Sequence, residues 1–423
     1  MKTALLAGTH SDCGKTTLML TLLQYFQSKQ HTVQAFKAGC DFIDPMWHQA
    51  ITGKPSYNLD TRMMGAELCQ LQIQQHNQAN FALIEGVMGL FDGAKGVGGE
   101  GSSVDLARVL ECPVILVVDA KGIAGTIAAL VSGFYDFAKQ KGVTISGVIA
   151  NKVGSSYHAQ LLAEALNDYE LPPLIAWMER SDEELASRHL GLKTPENSSV
   201  PNFLPFFHVN ESAFNQAFSE ITYPKTTVIK STQLLENAVV AISKDAACCF
   251  IYPANLDWLK LEGAEIIFFS PVAGEPIPEN ATAVWLTGGY PELFAEQLSH
   301  SKTWESLKAF VAANKPVLAE CGGAMILGKE LVDSNGKHWA MANVLPYVSV
   351  MQPKLAALGY REEKSGLRGH EFHYSKREND ENLTPCFDVE KGDAGICYQN
   401  LRTSYVHWFF TTAPEKAVTL LTT

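Results

Sequence analysis

The stretch Gly8-Thr9-His10-Ser11-Asp12-Cys13-Gly14-Lys15-Thr16-Thr17 decides how the first half of this chain is read. A short apolar run, residues 3–7, leads into it, and a longer amphipathic run, residues 15–27, follows. Strand, glycine-bounded turn and helix in that order make a phosphate-binding loop, because N–H groups of the turn and of the helix start point at an anion. The spacing is Gly-x5-Gly-Lys-Thr, one residue longer than the commoner form. Gly14 lets the backbone approach closely, Lys15 offsets the charge of the outer phosphates, and the Thr16 hydroxyl can hold Mg²⁺. Gly8, Thr9 and Thr17 complete the expected nucleotide contacts. Cys13, inside the loop, reads as a small filler.

Outward from the loop, further short runs rich in Leu and β-branched residues occur at 33–37, 81–85, 114–119 and 148–151. Helix-like stretches such as 126–138 and 157–167 separate them. Strands alternating with helices predict an α/β domain with a parallel sheet covered on both faces. The alternation breaks near Thr194, where Pro195, Pro201, Pro205 and Pro224 fall in a stretch without period. The expected division is a first domain over 1–194, a linker over 195–237 and a second α/β domain over 238–423. Apolar runs at 238–242, 265–269, 283–286 and 317–320 are the strands of that second domain.

In a parallel sheet, segments leaving the carboxyl ends of strands meet beside the phosphate loop. Two such segments are Phe36-Lys37-Ala38-Gly39-Cys40-Asp41-Phe42-Ile43-Asp44-Pro45 and Glu85-Gly86-Val87-Met88-Gly89-Leu90-Phe91-Asp92-Gly93. They bring Lys37, Asp41, Asp44, Glu85 and Asp92 toward a nucleotide. Carboxylates beside a Mg²⁺-nucleotide suit phosphoryl transfer, with Glu85, Asp41 and Thr16 as the expected metal-holding groups. Turn chemistry competes for Asp92, which precedes Gly93. Asn151, at another strand end, is either a contact to a base edge or a strand-end cap.

The second domain carries Ala319-Glu320-Cys321-Gly322-Gly323-Ala324, a strand, tight turn and helix. A nucleophile on such a turn is exposed by a strained backbone, and a helix start favours its thiolate. The Gly322 N–H follows the nucleophile, and Leu286-Thr287-Gly288-Gly289-Tyr290-Pro291-Glu292 offers the Gly289 N–H as a second oxyanion donor. His407, in Ser404-Tyr405-Val406-His407-Trp408-Phe409, is the expected base of a Cys–His pair. Arg368-Gly369-His370-Glu371-Phe372-His373-Tyr374-Ser375 contains His-x-x-His, but no further Cys or His clusters with it in the sequence, so a metal reading fails.

Composition narrows the classes. The 423 residues are 46% hydrophobic and 18% charged, which excludes a disordered chain. The formal charge is −12, which disfavours a nucleic-acid partner. Nine scattered cysteines without a CxxC pair argue against a disulfide framework and for a reducing, cytoplasmic compartment. The apolar run at 3–7 is too short for a signal peptide, and polar residues break the one at 122–138, so no membrane segment is expected. Assembly is left open, with a homodimer as the candidate.

Taken together, these segments resemble the cobyrinic acid a,c-diamide synthase family. The resemblance spans nearly the whole chain and includes Ser187-Arg188-His189-Leu190-Gly191-Leu192. The first half is similar to dethiobiotin synthetase, and the second to triad-type glutamine amidotransferases of the cobyrinate/cobyrate subgroup. The resemblance implies a carbon–nitrogen ligase that uses ATP and glutamine to amidate the a and c acetates of cobyrinate or hydrogenobyrinate through acyl phosphates, in cobalamin biosynthesis. Cys321 then becomes the glutaminase nucleophile and His407 its base. Other amidotransferase branches have His-x-Glu, whereas this chain has Phe409 at that place. The third group is left among Glu371, a backbone carbonyl and water. Cys40 and Phe42 stand where the family commonly has Pro and Tyr. Competing readings are another tetrapyrrole, such as nickel sirohydrochlorin, a partitioning-type ATPase switch, or a regulatory binder with a silent glutaminase domain.

Overall fold

The computed structural model describes residues 1–423 except 95, 182–186, 189–190, 193–194, 196–199, 223–230, 381 and 423; for 187–188 and 191–192 it describes the backbone. Two compact units result, Met1–Val228 and Ile229–Thr423.

In the first unit, strands β1 (Lys2–Gly8), β2 (Val33–Ala38), β3 (Tyr57–Leu59), β4 (Phe81–Gly89), β5 (Val114–Asp119), β6 (Ile145–Val153) and β7 (Leu174–Glu179) run parallel in the order β7-β6-β5-β1-β4-β2-β3. Helices α1 (Lys15–Ser28), α2 (Ile43–Thr52), α3 (Gly65–Gln75), α4 (Ser103–Leu110), α5 (Thr126–Gln140) and α6 (Ser156–Asp168) lie between them. Along β1, residues 4–7 are all fully buried, because helices cover both faces of a central parallel strand. This is why the expected strands read as continuous apolar runs. Helix starts follow local capping: Ser102 Oγ accepts the Asp105 N–H, and Ser155 Oγ the His158 N–H, at 3.2 Å each.

The sheet does not end with β7. Of the stretch 187–192, β8 (Ser187–Arg188) and β9 (Gly191–Leu192) pair antiparallel; His189 and Leu190 lie outside the described residues. Beyond them, β10 (Phe207–Val209) pairs antiparallel with β7, and β11 (Ser219–Glu220) pairs antiparallel with the start of β1. Helix α7 (Glu211–Gln216) sits between. These residues fall inside the expected linker, yet they complete the first unit. Aromatic burial explains it: Phe203, Phe214 and Phe218 are buried, and Phe214 meets Phe26, Tyr25 and Phe218 at ring distances of 5.2–5.8 Å. Each buried ring contributes about 1.5–3 kcal/mol of transfer free energy, enough to override the proline punctuation.

The second unit opens on β12 (Val239–Ser243), followed by α8 (Pro253–Leu261), β13 (Glu265–Phe269), β14 (Ala283–Leu286), α9 (Ala295–Ser299), α10 (Thr303–Ala312), β15 (Val317–Glu320) and α11 (Gly322–Leu327). Later come β16 (Glu330–Val332), β17 (His338–Ala340), β18 (Val348–Met351), β19 (Ala357–Glu362), β20 (Arg368–His373), β21 (Ser375–Glu378), β22 (Ile396–Tyr398), β23 (Leu401–Ser404), β24 (Val406–Phe409) and α12 (Pro414–Thr422). The main sheet has the order β13-β12-β14-β15-β23-β22, parallel except for β22. Alternate residues feed two cores: Ala241, Val284 and Ala319 one, Val240, Trp285 and Leu318 the other. Two smaller sheets, β17-β16-β18-β21 and β19-β20-β24, flank the site. At Ser404 the chain leaves the main sheet, and β24 joins β20 instead; Asp393 Oδ2 accepts the Tyr405 N–H at 2.6 Å, at the crossing point. No described helix is long and apolar enough to cross a membrane.

Candidate active sites

In the first unit the loop after β1 turns through Asp12 and Gly14, at φ 64° and 94°. The Thr9 N–H donates to the Val117 carbonyl at 3.1 Å, which fixes the loop to β5. Cys13 is buried, and a Cβ on Gly8 would lie 2.3 Å from its sulfur, so it fills the loop from below. Asn151 also belongs to the loop's support. Its Nδ2 donates to the Cys13 carbonyl at 3.0 Å, and a Cβ on Gly14 would lie 2.0 Å from that nitrogen. Lys15 lies across the loop, its Nζ 3.5 Å from the His10 carbonyl. The Thr17 carbonyl accepts the Thr21 hydroxyl inside α1.

Beside this loop is a buried charge cluster. Glu85 has no exposed surface. Its Oε1 accepts the Thr16 hydroxyl at 2.6 Å and lies 3.3 Å from Lys37 Nζ. Lys37 Nζ is 2.5 Å from Asp44 Oδ2. Glu85 Oε2 meets His48 Nε2 at 2.9 Å, and His48 Nδ1 meets Ser56 Oγ at 2.9 Å. Helix α2 puts Asp44 and His48 on one buried face, four residues apart. That spacing is the only local sign of His48, which the motifs did not single out; its partner Glu85 is distant in sequence.

Burial alone would lower the Lys37 pKa, but Asp44, Glu85 and Asp41 outweigh it and hold the ammonium charged. Burial and the Glu85 charge raise Asp44, against the pull of Lys37. Glu85 is kept ionised by Lys37 and His48 in spite of its own burial. Lys37 is therefore balanced by an ionised Glu85, while Asp44 is held toward its protonated form. Asp41 and Asp92 are exposed at turns. Asp41 Oδ1 accepts the Asp44 N–H at 2.8 Å, and Asp92 Oδ2 the Gly89 N–H at 2.9 Å. Thr16, Lys37, Asp44 and Glu85 come together; Asp41 borders them and acts on Lys37 and Asp44, whereas Asp92 closes a turn after β4, at Gly89.

In the second unit Cys321 has φ 47° and ψ −107°, a strained turn between β15 and α11. Its N–H donates to the Ser404 carbonyl at 2.8 Å. Gly288 and Gly289 are adjacent to this turn. A Cβ on Gly322 would lie 2.9 Å from the Gly289 nitrogen, and one on Gly288 would lie 2.2 Å from His407 Cε1. Gly289, at φ 154°, tolerates no side chain, since a Cβ there would lie 2.0 Å from the Ala247 carbonyl oxygen. Cys321, Gly289 and Gly322 thus meet at the carboxyl end of the main sheet, and β24 of the neighbouring sheet brings His407 against Gly288.

The electrostatics differ from the expectation of a thiolate. Burial pushes the Cys321 thiol up to about 12; Glu292, Glu320 and Glu371 add to this, and the Gly322 N–H opposes it. Cys321 is 5% exposed, so loss of solvation outweighs a two-turn helix start. Burial also lowers His407 well below the usual histidine range, with His370 and His373 acting the same way. The resting pair is a neutral thiol and a neutral imidazole.

Glu371 does not serve His407. Its Oε2 accepts from Arg361 Nε at 2.6 Å, and its Oε1 meets His373 Nε2 at 2.8 Å. Glu320 holds the base's backbone: Oε1 accepts the Trp408 N–H at 3.0 Å and Oε2 the Trp285 indole N–H at 3.2 Å. Burial pushes its carboxyl up to about 8, against both hydrogen bonds.

A phosphate loop feeding a carboxylate cluster, joined in one chain to a cysteine elbow beside a histidine, defines a nucleotide-using enzyme with a glutamine amidotransferase domain. Residues 4–191 match the CobQ/CobB/MinD/ParA nucleotide binding domain, and residues 239–415 the CobB/CobQ-like glutamine amidotransferase domain. Over its length the chain is 34% identical to the cobyrinate a,c-diamide synthase of Herminiimonas arsenicoxydans, covering 97% of this chain and 94% of that protein. It is 35% identical to the cobyrinate a,c-diamide synthase of Salmonella typhimurium, covering 97% and 95%. The hydrogenobyrinate a,c-diamide synthase of Stutzerimonas stutzeri is 37% identical, covering 99% and 97%. The chain belongs to the cobyrinate a,c-diamide synthase family.

Proposed function

We propose that this chain amidates the a and c acetate carboxylates of a cobyrinate-type corrinoid, with glutamine as nitrogen donor and ATP as activator. The observation that carries this reading is the presence of both half-sites in one chain, within full-length similarity to the diamide synthases. In the second unit, Cys321 Sγ attacks the glutamine side-chain amide while His407 takes the thiol proton. The Gly289 and Gly322 N–H groups hold the tetrahedral oxyanion. His407 returns the proton to the nitrogen as ammonia leaves, and water then clears the thioester.

In the first unit, the loop from Gly8 to Thr17 cradles the ATP phosphates, and Lys15 offsets the outer charge. A substrate carboxylate takes the terminal phosphoryl group, and ammonia displaces phosphate to form the amide. Mg²⁺ fits this site: Thr16 Oγ1 and Glu85 Oε1 are adjacent oxygens, and Glu85 is kept ionised. Bound there, Mg²⁺ supplies charge neutralisation. Lys37, clamped by Asp44 and Glu85, is the fixed cation facing the reacting groups, while Asp41 and Asp92 at the rim orient substrate or nucleotide. We assign a cytoplasmic location on the scattered cysteines.

The test is corrinoid mass after incubation with ATP and either glutamine or ammonium, for wild type and Cys321→Ala. Wild type should show two amide-sized mass shifts with either donor. The variant should show them with ammonium only. ATP hydrolysis without any mass shift on cobyrinate or hydrogenobyrinate would sink the corrinoid assignment.

A further inference from the structure

His407 has Phe409 two residues on, where a carboxylate would orient the ring in other amidotransferase branches. Phe409 is buried against Tyr252, with ring centroids 5.2 Å apart at 71°. Two rings flank His407: Phe250, with centroids 6.1 Å apart at 53°, and, closer and nearly parallel, another imidazole. His370 is the register partner of His407 across the β20–β24 ladder, with centroids 5.0 Å apart and planes 15° from parallel. The adjacent Gly369 permits this approach, since a Cβ there would lie 2.1 Å from the His407 carbonyl oxygen. His370 is itself pinned: its Nδ1 is 2.7 Å from the Tyr252 hydroxyl, and both residues are buried.

We propose that His370, anchored by Tyr252, is the positioning residue of the glutaminase step, setting the plane of the His407 ring by stacking where a carboxylate does so elsewhere. The inference rests on the glutaminase reading above. When His407 takes the Cys321 proton, its imidazolium forms against the face of a neutral ring, and the same proton goes to the departing nitrogen. Four groups face His370: Tyr252 from the start of α8, His407 from β24, Arg361 from β19 and Glu371 on its own strand. Burial and Arg361 together push the His370 pKa down to about 3, so its ring stays uncharged through the cycle. His373, two residues on, is turned to Glu371 and Tyr405 and takes no part in the stack.

Glutamine hydrolysis and ammonium-driven amidation, measured on the full chain for His370→Ala, His370→Phe and Tyr252→Phe, test this. His370→Ala should lower the kcat of glutamine hydrolysis about 30–100-fold with KM within about twofold, and leave ammonium-driven amidation at the wild-type rate. His370→Phe keeps a flat ring and should recover to within about fivefold of wild type; Tyr252→Phe should lose about 3–10-fold in kcat. A His370→Ala protein with wild-type kcat would overturn the proposal, as would a folded His370→Phe protein no better than the alanine variant. If His370→Ala fails to fold, Tyr252→Phe and His370→Phe decide alone, with thermal unfolding measured beside activity. Wild-type protein that amidates with ammonium but does not hydrolyse glutamine would instead strike the underlying glutaminase reading.

Discussion

Alkylation of Cys321 in the enzyme without glutamine tests whether the thiol rests neutral. With the thiol pushed up to about 12 from an ordinary value of 9.0, the thiolate fraction at pH 8 is about one in 10⁴ rather than about one in ten. That alone slows iodoacetamide about a thousandfold. A more basic thiolate is also more nucleophilic, which over this range returns about 15–30-fold. The net expectation is a rate about 30–60-fold below that of an unperturbed thiol, before any shielding by burial. Because the thiol stays protonated, the rate should rise about tenfold per pH unit from 6 to 10 without a plateau. Peptide-resolved mass spectrometry separates Cys321 from the other eight cysteines, with Cys321→Ala as the blank. A plateau with a midpoint below pH 8 would mean a thiolate–imidazolium pair, and the argument from burial would be refuted.

Three further outcomes follow from particular contacts. Gly288→Ala sets a methyl group against His407 Cε1 and should cut glutamine hydrolysis at least about 100-fold, while ammonium-driven amidation persists. Lys37→Met strands Asp44 and Glu85 without their cation and should cost about 3–5 kcal/mol, read as a fall of about 6–20 °C in the melting of the first unit; an unchanged melting temperature contradicts it. Phe214→Ala should destabilise the same unit by about 3–5 kcal/mol in urea, because the ring sits among Tyr25, Phe26 and Phe218. A true linker residue would give almost no change.

Much of the fold was legible because covered parallel strands leave continuous apolar runs. The runs at 114–119, 283–286 and 317–320 coincide with buried strands, and the one at 265–269 with a partly exposed edge strand. The phosphate loop and the cysteine elbow were legible because each depends on a few residues in close succession. What escaped depends on partners distant in sequence. Residues 203–220 carry the punctuation of a linker, and only the aromatic surface of α1 and β4 reveals why they fold. His48 meets Glu85 across 37 positions, and Tyr252 meets His370 across 118. Asn151 showed a strand-end position but not which way it would turn. At Cys321 the motif displays the helix start that favours a thiolate and hides the burial that opposes it.

The return of β11 to the first strand has a consequence for how the protein is made. Residues 2–3 pair with 219–220, and β1 also needs β4 and β5 on its flanks before it is a strand at all. The phosphate loop hangs from that strand, so the segment synthesised early waits for segments that emerge much later. Until Phe214 and Phe218 leave the ribosome, Phe26 and Phe81 lack their cover. A nascent chain halted near residue 194 would carry the whole nucleotide motif and still present a sticky aromatic face. The aromatic face of α1 and β4 therefore closes only after residue 218 has been made and released.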